Sequence, residues 1–434
     1  MRSQQIIRSY YVIAGLYTLS ASLIWGVNTL FLLDAGLNIF EVFIANAFFS
    51  AGMTLFEIPT GVLADTRGRR LSFLLSTLVL SLGTLGYVSI ALLQGGLLWF
   101  CVMSVVMGLG YTFYSGAVEA WLVDALNATG FQEPLDKIFA RSEFVSGAAM
   151  VAGTIGGGLL GDVDLAIPFM GRALLLLLLF AFAYFYMHDI GYQPRTLTLV
   201  RLPAEMQGVA AASLKFGWGN ASIRLIMFMS FIQTGFLYWG FYAWQPYFLD
   251  LLGRDVAWVA GVIAALVSLA TMAGNKSVEW FTQFCGKRTT LMLWAAGVGA
   301  LATVGVGVGH SFWLVVPLFL VYMATTGIIT PVLQAYLHQV IPSGQRAAIV
   351  SFSSMAGSGG GILGQAGLGY LARVNSIASG YIAGGIASLV VLPLAGALRR
   401  LDDPADKIVD KAGRKSACAA QGIPDISSVD TTTG

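Results

Sequence analysis

Long apolar runs separated by short polar breaks dominate the chain. Twelve of them are about 20 residues or longer, the length a helix needs to cross the hydrocarbon of a bilayer. The pattern predicts spans at 11–33, 40–64, 71–93, 97–124, 139–161 and 168–188, then at 222–249, 256–278, 289–309, 311–337, 347–371 and 376–398. Helices are expected because a lipid-facing backbone must satisfy its own hydrogen bonds. The breaks at 93–97 and 309–311 are minimal, so those neighbours form antiparallel hairpins. The long polar connection, His188 to Ala221, divides the runs into six plus six. The expectation is an all-α membrane protein of twelve transmembrane helices in two pseudo-symmetric six-helix bundles. Residues 1–188 form the first bundle, 189–221 a central loop, 222–398 the second bundle, and 399–434 a polar, disordered tail without assigned function.

Composition supports the same reading. Hydrophobic residues make up 57% of the 434 and charged residues 11%, against about 25% charged in a soluble domain. The net charge of +2 says little, but its distribution says more. Of the 24 Lys and Arg residues, all but Arg172, Arg254 and Arg373 fall on the side of the breaks that holds both termini. That bias predicts both termini in the cytoplasm of a multi-pass cell-membrane protein. It also places the Asn127-Ala128-Thr129 sequon inside the cell, where it is not glycosylated. Residues 11–33 are long enough to be a retained first span and not a cleaved signal. Cys101, Cys285 and Cys418 are too few and too scattered for a disulfide framework or metal cluster.

The two halves share sequence features. Gly68-Arg69-Arg70-Leu71-Ser72 opens span three, and Gly286-Lys287-Arg288-Thr289-Thr290 opens span nine. Ala120-Trp121-Leu122 in span four is followed by Arg141 and a glycine run from Gly153 to Gly161. Ala335-Tyr336-Leu337 in span ten is followed by Arg346 and glycines from Gly357 to Gly369. Two repeats around an axis normal to the membrane place a solute site at their interface near midplane. The stretch Gly61-Val62-Leu63-Ala64-Asp65-Thr66-Arg67-Gly68-Arg69-Arg70 resembles the loop 2–3 signature of the major facilitator superfamily. Phe56–Gly61 and Ile341–Arg346 look like the drug–proton antiporters within it, although the glycines of span five lack the accompanying proline of the antiporter motif. The resemblance implies alternating access between the two bundles. In that mechanism Asp65, with Arg67, Arg69, Arg70 or Arg141 as partner, closes the cytoplasmic side.

Glu57 and Glu119 lie inside apolar runs, where an ionisable group costs several kcal/mol unless it faces a cavity or a partner. Both are proton-coupling candidates. Glu57 precedes Pro59 and has a structural alternative at that bend. Glu119 has one in a static hydrogen bond or a pair with Arg141. Tyr111, Ser115 and Glu119 recur every four residues and would share one helix face. Span seven concentrates aromatics, with Gln233, Tyr238, Tyr242 and Gln245 as cavity candidates. Trp25 and Asn28, on the equivalent span one, complete the set. Aromatic faces with a few amides suit a bulky, amphipathic or cationic solute. Packing and lipid anchoring are the competing explanation.

No HExxH, no Ser/His/Asp cluster and no GxxxxGK[ST] loop occurs, so neither a membrane-embedded enzyme nor an ATP-driven pump is expected. No cofactor, metal or nucleic acid is expected. Intramembrane basic residues would favour anionic solutes, and only Lys276, at the end of span eight, is on offer, so organic anions are not the expected substrates. The expected activity is export of an apolar or amphipathic small molecule in exchange for protons, and the alternative is a proton symporter importing a metabolite. One chain could form a complete site, so a monomer would suffice, and the sequence leaves the oligomeric state open.

Overall fold

A computed structural model describes residues 3–192, 218–254, 256–341 and 346–408. Most of the predicted central loop, the 342–345 part of the Ile341–Arg346 stretch, and the tail beyond 408 with Cys418 lie outside the described residues. Span one is two helices, Ser3–Ser22 and Asn28–Asp34. Spans two and three are Ile39–Arg67 and Arg69–Leu92. Span four is Leu97–Tyr114 followed by Ala117–Ala128. Spans five and six are Asp136–Gly161 and Ala166–Tyr186. Spans seven to eleven are Ala221–Leu252, Ala257–Phe284, Arg288–Val308, Phe312–Val340 and Arg346–Val374. Span twelve is Ile377–Ser388 with Val391–Arg400. Among the described residues, ten of these are long and apolar enough to cross a membrane. The exceptions are span one, which is broken, and span eleven, which is rich in glycine and serine.

The helix starts follow local chemistry. Asn38 accepts from the backbone N–H of Phe40 and Glu41 while the Glu41 carboxylate accepts the Asn38 N–H, a reciprocal cap. Asn220 caps span seven and Ser376 caps span twelve in the same way, by accepting first-turn N–H groups. Gly116 sits at φ 71°, in the left-handed region, and there span four breaks. The uninterrupted helix expected over 97–124 is therefore corrected to two segments.

The packing order repeats. Span one lies against five and six, two against four, and three against four and six. Span seven lies against eleven and twelve, eight against ten, and nine against ten and twelve. The two six-helix halves are thus built alike. Between them, span two meets eleven and five meets eight, a symmetric pair of seams, and span one touches seven. Small residues permit the close approach: Gly157 lies on the backbone of span one at Leu23, and Gly364 on the backbone of span seven at Gly235.

One face of each half is tied shut by the residues that follow its last span. In the first half, Asp189 Oδ1 accepts the Arg70 N–H at 2.9 Å and the Tyr192 hydroxyl donates to the Asp65 carbonyl at 2.7 Å. In the second, Asp406 accepts the Thr289 N–H and hydroxyl, both at 2.8 Å. Arg288 donates to the Ala405 and Lys407 carbonyls, and Ile408 donates to the Gly286 carbonyl at 3.1 Å. The expectation of a disordered tail from 399 is corrected here. Residues through 408 are ordered, and Asp406 is fully buried. The reason is physical: the first N–H groups of span nine lack helical partners, and Asp406 supplies one.

Candidate functional site

A set of contacts between the halves runs from mid-membrane toward the face opposite residues 65–70. Gln245, fully buried, donates from Nε2 to the Trp25 carbonyl at 2.8 Å and accepts the Thr29 N–H at 2.8 Å. Thr29 Oγ1 also donates to the Tyr242 carbonyl at 2.9 Å. These bonds exist because span one is broken at residues 23–27, which frees backbone groups that an intact helix would consume. On the same side, Phe43 stacks obliquely on Trp239 at 5.7 Å, and Phe40 meets Tyr370 edge-on at 6.0 Å. The Ala257 N–H donates to Asp162 at 3.0 Å.

This latch reassigns two expected cavity residues. Both polar atoms of the Gln245 side chain are spent on span one, so it holds the halves together in this state and offers nothing to a solute. Asn28 is 8% exposed and donates to Asn46 at 3.2 Å, an internal tie between spans one and two. Trp25 is half-buried and sits edge-on to Phe241 at 6.2 Å, at the seam itself. The aromatic cluster of span seven divides by helix face. Trp239 and Trp244 are sealed in the core of the second half, while Tyr238 and Tyr242 are only half-buried. Gln233 lines a 140 Å³ cavity between spans seven, nine, ten and twelve, with Ser230, Thr326, Thr330 and Gln334 beside it.

Toward the face that carries residues 65–70, a group of tyrosines and acids from both halves gathers at the interface. Tyr111, 42% exposed, and Ser115 and Gly116, also exposed, form one stretch of span four. Glu57 is exposed, and both it and Glu119 are within electrostatic reach of Tyr111. Tyr238 from the second half is within reach of both Tyr111 and Glu57, so these side chains face one another across the interface. Glu119 occupies the first turn of the Ala117–Ala128 helix, where unpaired N–H groups and the helix dipole favour a carboxylate. Its Oε2 is buried without a hydrogen-bond partner. The break at Gly116 creates that helix start. The Ser115-Gly116 pair, a turn-forming dipeptide, was its signal in the sequence.

The signature loop is internally paired. Asp65 Oδ1 is 2.5 Å from Arg69, one turn on, and Arg69 Nε is 3.9 Å from Asp124 at the end of span four. That second contact is charge proximity without a hydrogen bond, since Arg69 Nε has no partner. Arg70 donates to the Tyr184 carbonyl at 2.5 Å and lies 5.1 Å over the Tyr184 ring. Gly68, at φ 109°, lies against the Asp189 carboxylate, which leaves no room for a Cβ. Gly61 has open space beside it, and Arg67 and Arg141 are exposed. Asp124, Asp189 and Tyr192, the loop's partners here, carry no signature and were not legible in the sequence.

Arg172 is the largest surprise. It lies six residues into span six, about 9 Å along the helix. Its Nε is buried with no hydrogen-bond partner, and the residue as a whole is partly accessible. The groups in electrostatic reach are Tyr17, Tyr87 and, from the other half, Tyr242. Lys276, by contrast, is exposed and paired with Glu279 at 2.9 Å. The base expected at the end of span eight therefore has its charge already matched on its own helix.

Known proteins fit this geometry. Residues 259–427 match the family model of the Major Facilitator Superfamily. No curated protein matches the sequence. The nucleoside transporter NupG superposes with a TM-score of 0.76 at 11% identity, covering 91% of this chain and 99% of its own. A D-xylose-proton symporter gives 0.68 at 14% identity, covering 91% and 97%. A peptide transporter, POT, gives 0.71 at 14% identity, covering 93% and 96%. The fold is that of the major facilitators, two six-helix halves in one multi-pass membrane chain. The signature loop at 61–70 lies outside the matched residues.

Proposed function

We propose that the protein is a secondary active transporter that moves an amphipathic small molecule by alternating access, with protons as the coupling ion. The observation that carries the reading is Glu119, a carboxylate with a buried, unpartnered oxygen, set among tyrosines near the interface of the two halves. An acid so placed can take a proton or a partner when the halves rearrange. Glu57 is the second acid on the same pathway. In this reading both termini and residues 65–70 face the cytoplasm, in keeping with the distribution of basic residues, and the Gln245 latch closes the outer side. The state described is then inward-facing. Asp65 and Arg69 hold the signature loop in register, ready to engage the second half when the inner side closes.

Export in exchange for protons follows from the resemblance of Phe56–Gly61 to the drug–proton antiporters. Import by proton symport is the second reading, and a D-xylose-proton symporter among the similar folds favours it. Proteoliposomes with a pH-sensitive dye inside separate the two. Substrate and protons moving in opposite directions support export, and movement together supports import. No substrate movement under an imposed pH gradient, across a panel of amphipathic compounds, rejects proton-coupled transport.

A further inference from the structure

An arginine inside a membrane helix ordinarily sits beside a carboxylate or a run of carbonyls. Arg172 has neither. Its Nε is buried and unpaired, and the groups that face it are the hydroxyls of Tyr17, Tyr87 and Tyr242. No carboxylate stands among them. Tyr17 stacks flat on Tyr114 with ring centroids 3.6 Å apart, and Tyr87 bonds Ser104, so two of the three rings are held by their own half. Tyr242 comes from span seven, whose backbone at that residue is bonded to Thr29 at the seam. Arg172 is thus within electrostatic reach of tyrosines from both halves, and the residue as a whole is only partly buried.

An unpaired charge is costly there and is retained only if something anionic arrives to meet it. A guanidinium offers a planar fork that fits a carboxylate, phosphate or sulfonate, and phenolic hydroxyls can donate to the same oxygens. The surrounding rings would cover an apolar or aromatic body attached to that group. From this we infer that Arg172 is the anion-recognising element of the site, and that the solute carries an acidic group on an aromatic or apolar frame. The inference rests on the transport reading above, names its substrate class, and replaces the cationic or neutral solute that Lys276 alone would leave.

The test is binding at equilibrium, without any gradient. Purified full-length protein in nanodiscs of zwitterionic phosphatidylcholine is titrated with 2-naphthoate and with its neutral isostere 2-naphthamide. The parent protein should prefer the anion by about tenfold or more, the order expected for hydrogen bonds to a charged group. Arg172→Gln should erase that preference and leave the naphthamide affinity nearly unchanged, and Arg172→Lys should keep part of it. Arg172→Gln should also melt no lower than the parent, because it removes an uncompensated charge. Equal affinity for the two probes in the parent, absence of naphthoate binding, or an undiminished preference in Arg172→Gln overturns the inference. So does a large loss of thermal stability in Arg172→Gln, which would make the arginine structural. A protein that prefers naphthoate through Arg172 yet moves nothing under a pH gradient breaks the coupling reading and leaves this one standing.

Discussion

The two halves share one packing plan and differ in what it is used for. In the first, spans one and four are broken, span one at residues 23–27 and span four at Ser115-Gly116. That half also holds Glu57, Glu119 and Arg172. In the second, the equivalent spans seven and ten run unbroken for 32 and 29 residues. Their neighbourhood is an aromatic slab of Trp239, Trp244, Phe248, Phe319 and Tyr381. Broken helices release backbone groups and create helix ends that charges can use, while continuous helices packed with large rings resist deformation. The difference suggests that charge recognition and coupling reside in the first half and that the second is the surface it works against.

Glu119→Gln is the most severe way to break that comparison. It should reduce movement driven by a pH gradient to background while the protein still inserts and binds solute. Unchanged uptake or efflux by a well-expressed variant would remove the first half's special role. Next comes a matched pair of glycines. Gly68→Ala must force a positive φ on alanine against Asp189, and should cost about 1–3 kcal/mol in thermal unfolding. Gly286→Ala, at the equivalent position with open space beside it, should stay within about 0.5 kcal/mol of the parent. Equal effects would show that the two loops are more alike than their geometry indicates.

Asp406→Ala leaves the N–H and hydroxyl of Thr289 unsatisfied and should destabilise by about 1–3 kcal/mol. Asp189→Ala, at an exposed residue, should cost less, because water can replace it. Gln245→Ala removes two hydrogen bonds between the halves, each about 1 kcal/mol. It should therefore raise the labelling rate of a cysteine placed at Leu30, with little effect on folding. The smallest effect belongs to Asp402. Lys287 donates to its carboxylate at 2.7 Å and holds its pKa below the ordinary carboxylate range. A pair with a depressed folded pKa contributes above the ordinary value and fades as pH falls through the folded one. The melting temperatures of the parent and Asp402→Asn should thus differ slightly at pH 7 and converge in acid.

Much of the architecture was legible in hydropathy alone, because a bilayer imposes length and polarity on every span. The paired copies of loop 2–3 and the later glycine runs also announced the repeat. The finer geometry was not legible, for identifiable reasons. Periodicity placed Tyr111, Ser115 and Glu119 on one continuous face, but a single left-handed glycine ended that helix and turned Glu119 into a first-turn acid. Gln245 looked like a cavity amide, since no pattern in span seven reveals that span one offers it an unpaired carbonyl and N–H. Arg172 was counted with the polar breaks by its charge, although it fell within the predicted span. Asp189 and Asp406 followed the last apolar run of each half and looked like loop residues. Their role depends on a partner more than a hundred positions away.

The seal made by residues 402–408 has a practical side. Hydropathy invites truncation or fusion right after Leu398, where the apolar pattern ends. A cut there would discard Asp406 and strip span nine of its capping acid, so a shortened or tagged version should keep everything through Ile408 and attach any reporter beyond it.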